Sequence, residues 1–97
     1  MNSSALTTAT TVVADDDALS TTIDGETVIL HPDVGKYYGL NEVGTFVWEL
    51  LQEPRPVDEL CREVVDAYEV DRDRCRSDVE DLLVELVEKD LVRLTDA

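Results

Sequence analysis

The spacing of apolar positions changes character near residue 40. From residue 18 to residue 40, apolar and β-branched residues come in short runs broken by turn residues. Ser20-Thr21-Thr22-Ile23 leads into Asp24-Gly25, and Glu26-Thr27-Val28-Ile29-Leu30 follows. Asp-Gly between two β-rich runs predicts a two-residue hairpin turn, because both central positions need a positive φ. His31-Pro32-Asp33-Val34-Gly35 supplies a second break, and Lys36-Tyr37-Tyr38-Gly39-Leu40 reads as a third, short strand. Three antiparallel strands of this length are marginal alone and need a helical cover.

Beyond residue 40 the period becomes helical. Asn41 is a good N-cap, with Glu42 in the first turn where the helix dipole favours an anion. Val43, Val47, Leu50 and Leu51 share one helical face, Phe46 and Trp48 widen it, and Gly44 permits close packing near the sheet. Glu53-Pro54-Arg55-Pro56 ends this helix, and Pro56 suits the first turn of the next. Val57, Leu60, Cys61, Val64, Val65 and Tyr68 form the second stripe. A third helix starts near Asp71 or Asp73 and carries Cys75, Val79, Leu82, Leu83 and Leu86. Leu91-Val92-Arg93-Leu94 resumes β-like character. The order β-β-β-α-α-α predicts an α+β fold, a three-stranded antiparallel sheet followed by three helices.

Residues 1–17 are rich in Ser and Thr, poor in large apolar groups, and end in three Asp. They predict a disordered or weakly ordered tail, with an edge strand at Val12-Val13 as the alternative, and place the folded domain at 18–97.

Composition narrows the function. Eight Lys+Arg stand against 23 Asp+Glu, a net charge of −15, which opposes binding to nucleic-acid phosphates or anionic membranes. The acidity is spread evenly: residues 1–57 hold 2 basic and 9 acidic side chains, residues 58–97 hold 6 and 14. Only Lys36 and Lys89 are lysines, a balance that suits a salt-rich cytoplasm. The first 22 residues lack a basic start and an apolar block, so no secretory signal is expected. Cys61 and Cys75 then read as free thiols in a reducing cytoplasm, Cys61 as inert packing on a helical stripe.

Catalysis has little support. Asp78, Asp81 and Glu85 line one side of the third helix, but acidic residues at that spacing are normally a solvated face. The glycines are dispersed and match turns, not a phosphate loop. With one histidine and no CxxC, no metal or other cofactor is expected. A carrier protein would need an attachment serine at a helix start; Ser77 lies inside a predicted helix without the motif. Tyr37-Tyr38 is more telling. Strand alternation sends the two rings to opposite faces, and a short edge strand beside the third helix offers backbone donors and acceptors next to an apolar trough. That is the requirement for β-augmentation by a peptide.

The run Asp24–Leu30, then Gly35-Lys36-Tyr37-Tyr38-Gly39-Leu40-Asn41-Glu42-Val43-Gly44 and Trp48-Glu49-Leu50-Leu51, resembles the PqqD family. Val57-Asp58-Glu59-Leu60, Tyr68-Glu69-Val70-Asp71, Asp78-Val79, Leu82-Leu83-Leu86 and Leu91-Val92 continue the likeness over residues 18–94. The resemblance implies a winged-helix-like RiPP recognition element, a non-catalytic chaperone for the leader of a ribosomally made precursor peptide. It implies a leader strand added beside Lys36, Tyr37, Tyr38 and Gly39, against a helical wall of Asp78, Leu82 and Glu85. The implied enzyme partner is a radical SAM maturase or a leader peptidase. A regulatory or interaction domain of the same fold is the alternative, the carrier a more remote one, and pairing of the edge with a second copy stays open. Two departures stand out: the long Ser/Thr tail, and Asp90 where the family often has Gly, a position Asp can fill in the left-handed conformation.

Overall fold

The computed structural model describes residues 10–33 and 35–95. Its elements are β1 (Thr11–Ala14), β2 (Leu19–Ile23), β3 (Glu26–His31), β4 (Lys36–Leu40), α1 (Glu42–Leu50), β5 (Arg55–Pro56), α2 (Val57–Tyr68), α3 (Arg72–Glu88) and β6 (Val92–Thr95). They build an α+β, winged-helix-like domain with two small antiparallel sheets and three helices.

The expected meander is the sheet β2-β3-β4. Asp24 and Gly25 both take positive φ (54° and 83°), which closes the tight turn and pairs Ile23 with Glu26. Alternation along β3 is strict: Thr27, Ile29 and His31 are buried, and Glu26, Val28 and Leu30 are exposed. The inner face packs on α1. There Thr45 donates its hydroxyl to Thr27 Oγ1 at 2.9 Å, and Thr22 and Thr27 share a hydroxyl bond at 2.7 Å, so these three hydroxyls satisfy one another. Gly44 lets α1 approach: a Cβ there would lie 3.1 Å from Leu40 Cδ2.

The second sheet, β5-β1-β6, changes the account of the N-terminal segment: the strand held as the alternative at Val12-Val13 forms, but as a central strand and not an edge. Residues 11–14 fall inside the stretch expected to be a tail, yet all four are buried. Residues 1–9 lie outside the described residues. β1 is the central strand, with Val12 opposite Arg55 on one side and Leu94 on the other. Ala14 N–H donates to Leu51 O at 2.8 Å and Asp15 N–H to Leu91 O at 2.9 Å, so the strand joins the ends of α1 and α3. A short strand covered on both faces shows no alternation, and its partners lie far along the chain.

Helix ends follow the sequence. Asn41 Oδ1 accepts from Gly44 N–H (2.9 Å), and Asp71 Oδ2 accepts from Arg74 N–H (3.0 Å). Pro56 sits one place earlier than expected, as the extended N-cap of α2. At the end of α3, Asp90 is left-handed (φ 61°). Asp90 N–H donates to Val87 O and Leu91 N–H to Leu86 O, so the last carbonyls are satisfied without glycine.

The helical stripes meet in one core of Val47, Leu51, Val57, Leu60, Val64, Val79, Leu83 and Leu86, reached by Val12 and Ile29 from the two sheets. Five stripe positions differ from expectation: Val43 is exposed, and Leu50, Val65, Tyr68 and Leu82 are half-buried. Cys61 and Cys75 are free and buried, with Cys75 Sγ donating to Cys61 O at 3.8 Å. Burial pushes both thiols up, Cys61 to about 11.

Two outcomes follow. Val12→Asp places a charge in the centre of the core and should destabilise the domain by roughly 3 kcal/mol or more, lowering Tm by at least about 12 °C; thermal unfolding followed by circular dichroism measures it, and a near-wild-type Tm would return residues 11–14 to the status of a tail. Iodoacetamide at pH 8 should label Cys61 and Cys75 slowly in the native protein and fast in urea, read by mass spectrometry.

Candidate functional site

β4 ends its sheet: among the described residues no strand pairs with its outer side. α3 runs beside this edge. Asp78, Leu82, Glu85 and Lys89 fall at i, i+4, i+7 and i+11 and form one face of the α3 segment, distinct from its core stripe of Cys75, Val79, Leu83 and Leu86. Between strand and helix lies a groove of about 400 Å³, walled by Tyr38, Gly39 and Leu40 on one side and by Asp78, Val79 and Leu82 on the other. Val43 and Val47 of α1, with Val64 of α2, complete its mostly apolar lining.

Tyr38 crosses from strand to helix. It pairs with Ile29 across the ladder and so points to the helical side of the sheet. Its hydroxyl donates to the Glu85 carboxylate, and Lys89 Nζ lies 5.7 Å from the ring centroid, within cation–π range. The bond to Glu85, then desolvation and the nearby charge of Glu85, hold the phenol above its ordinary pKa. Glu85 does not line the groove, so this bridge stands beyond the apolar section.

The structure brings Tyr38, Gly39, Asp78 and Leu82 together around the groove and sets Glu85 against Tyr38. Tyr37 is separate. It pairs with Leu30 on the opposite face of the sheet and is 72% exposed, so the trough expected between both tyrosines and α3 is formed by Tyr38 alone. Lys36 begins β4 and is placed by its backbone. Gly39 has open space around a would-be Cβ, so its lack of a side chain is no packing requirement.

Three contributors escaped the sequence reading. Val43 was assigned to the core stripe. Val70, in the α2–α3 connection, follows Glu69, which is left-handed (φ 52°), and lines the groove. Arg74 reaches Asp78 at 3.9 Å on the exposed rim. For Arg74 the available signal was its place one turn before Asp78 on the third helix.

Other polar clusters are structural. Asp15, Asp17 and His31 bring possible metal donors within 4.8 Å of one another. Asp15 already accepts from the Asp17 N–H, meets His31 Nε2 at 3.1 Å and pairs with Arg93 at 3.5 Å, tying β3 and β6 to the end of β1. Ser77, the carrier candidate, lies within α3. No described helix is long and apolar enough to cross a membrane.

A winged-helix-like domain with an open strand edge, a flanking helix and an apolar groove between them defines the class. The family model for coenzyme PQQ synthesis protein D (PqqD) matches residues 26–92, and the chain belongs to this family. Among solved structures it is similar to TbiB1, determined in complex with the TbiA(beta) leader peptide: 36% identity, TM-score 0.76, covering 84% of this chain and 94% of that one. A lasso peptide synthetase B1 complexed with its leader peptide shares the fold at 20% identity and TM-score 0.72, covering 84% and 96%. No curated protein matches the chain.

The Tyr38–Glu85 bond is testable by pH. A phenol whose folded pKa is raised contributes stability below its ordinary value, near 10, and loses it as pH rises through the raised value. An alkaline absorbance titration should show a late-ionising component in the wild type that Tyr38→Phe removes.

Proposed function

We propose that this protein is a non-catalytic chaperone that binds the leader of a ribosomally synthesised precursor peptide and delivers it to a modifying enzyme. The observation that carries the reading is the open outer edge of β4 set against α3, in a chain 36% identical to a protein solved with a leader peptide.

The leader adds as a strand along Lys36, Tyr37, Tyr38 and Gly39. Edge N–H and C=O groups of β4 that face away from β3 supply the main-chain bonds, which give affinity. An apolar leader side chain enters the groove between Tyr38, Val43 and Leu82, which gives specificity. Asp78 lies on the exposed rim and attracts a basic leader residue in competition with Arg74. Glu85 acts through Tyr38, whose ring it holds across the end of the groove. The modifying enzyme is a radical SAM maturase or a leader peptidase.

Titration of the chain with the leader of the precursor peptide encoded beside it, by calorimetry and amide shifts, tests this. Tyr38→Ala, Leu82→Asp and Gly39→Pro should each weaken binding by about tenfold, the loss of one apolar anchor or one strand hydrogen bond. Tyr37→Ala should weaken it less, because that ring leaves the groove. Shifts confined to residues away from 36–43 and 70–85, or unchanged affinity in all of the groove variants, would move the site and favour an interaction domain with another protein partner.

A further inference from the structure

Of the chain's six arginines, three converge on one pocket in the seam between α2 and α3. Arg62 comes from α2, Arg72 and Arg76 come from the first two turns of α3, and the pocket holds about 280 Å³. Acidic residues outnumber basic ones 23 to 8 in this chain, yet here the ratio reverses. Two carboxylates, Asp58 and Asp73, share the lining, so its formal charge is 3 − 2 = +1. The uncharged part of the lining is Cys61, which is buried, and Val65, which is half-buried. No residue is common to this pocket and the groove beside β4.

The three guanidiniums keep donors to spare. Five of the six arginines meet a carboxylate, whereas Arg72 makes no ion pair among the described residues. Arg62 meets Asp58 at 3.7 Å with both side chains more than half exposed, a loose pair in high dielectric. Arg76 donates through Nε to Glu80 at 3.0 Å. That bond orients the guanidinium without using its two terminal nitrogens, and Glu80 is not part of the lining. The Arg76 charge also reaches across the seam: burial raises the Cys61 thiol, and Arg76 opposes the rise.

The reversed charge selects an anion, and the surroundings select a small one. An acidic polypeptide or a nucleic acid would lay its remaining charges over a carboxylate-rich surface. A small ligand confines its charge to the pocket. Guanidinium forks from two helices suit a phosphate group, whose oxygens accept from several donors at once and whose double charge answers three cations better than one carboxylate does. The volume lies near the lower end for small-ligand sites and exceeds what a bare phosphate fills. We propose that the α2–α3 pocket binds a small phosphate monoester, its phosphate held by Arg62, Arg72 and Arg76 and its apolar body laid against Val65 and Cys61. The site is separate from the edge of β4 and stands independently of leader binding.

The test titrates the full chain with phenyl phosphate, inorganic phosphate and benzoate at constant ionic strength, followed by amide shifts. Phenyl phosphate should give saturable shifts centred on residues 58–65 and 72–76. It should bind about fivefold more tightly than inorganic phosphate, because its ring leaves water. It should also bind more tightly than benzoate, which has the ring but a single charge. Arg72→Gln combined with Arg76→Gln should weaken phenyl phosphate by about tenfold or more. The double variant should unfold near the wild-type temperature, since exposed ion pairs contribute little stability. Arg62→Gln, on the other helix, should weaken binding severalfold by itself, an arm that decides the matter even where the double variant is destabilised. Shifts that never saturate and spread over the surface would overturn the proposal, as would unchanged affinity in the arginine variants. Benzoate binding as tightly as phenyl phosphate would overturn the assignment to a phosphate.

Discussion

The start of α1 against the end of β4 sets everything that follows. Gly44 allows the helix to lie so close to Leu40 that a single added methyl would meet it at 3.1 Å. Thr45, one residue on, bonds to Thr27 beneath the meander. Those two contacts fix the sheet's tilt on the helices and so fix where the edge of β4 stands relative to α3. The groove exists because strand and helix are held apart at that separation, with valines of α1 and α2 as its floor and Tyr38 spanning the gap beyond it.

Local chemistry made most of this arrangement legible. The Asp24-Gly25 turn, the Asn41 cap, one of the two Asp caps offered for the third helix, and the buried centres of the three stripes depend on residues within a few positions of one another, and those agree with the structure. The β5-β1-β6 sheet depends on pairings across nearly the whole chain. Thr11-Val12-Val13-Ala14 has no alternation to reveal a strand buried on both faces, and its Ser/Thr-rich neighbourhood resembles a solvated tail. The site was half visible for the same reason. Tyr38 and Gly39 stood out on one short strand, and the resemblance implied Asp78 and Leu82; the groove brings these four together. Val43 and Val70 could not be named, because a valine facing a groove and a valine facing a core have the same period.

The charge of −15 acquires structure once it is mapped. Carboxylates are distributed over both halves of the sequence, and four of them meet arginines at i+4 spacing, as in Asp58–Arg62 and Arg76–Glu80. Such exposed pairs contribute little stability each. Their larger effect is on what stays uncharged: the apolar lining of the groove and the outer face of the meander.

Tyr37 and Tyr38 join those two surfaces. Adjacent on one short strand, they are sent to opposite faces by the pleat, one to the open sheet and one to the seam with α3. Any segment that pairs with β4 obeys the same rule, with alternate side chains directed into the groove and onto the outer face. A bound strand is therefore read twice along its length. On the proposed strand addition at β4, inward residues would meet Tyr38 and Leu82, and outward residues would extend the row of Leu19, Leu30 and Tyr37. Because both readings use one backbone ladder, a one-residue slip would exchange them, so correct register is needed both to hold the peptide and to complete the surface beside it.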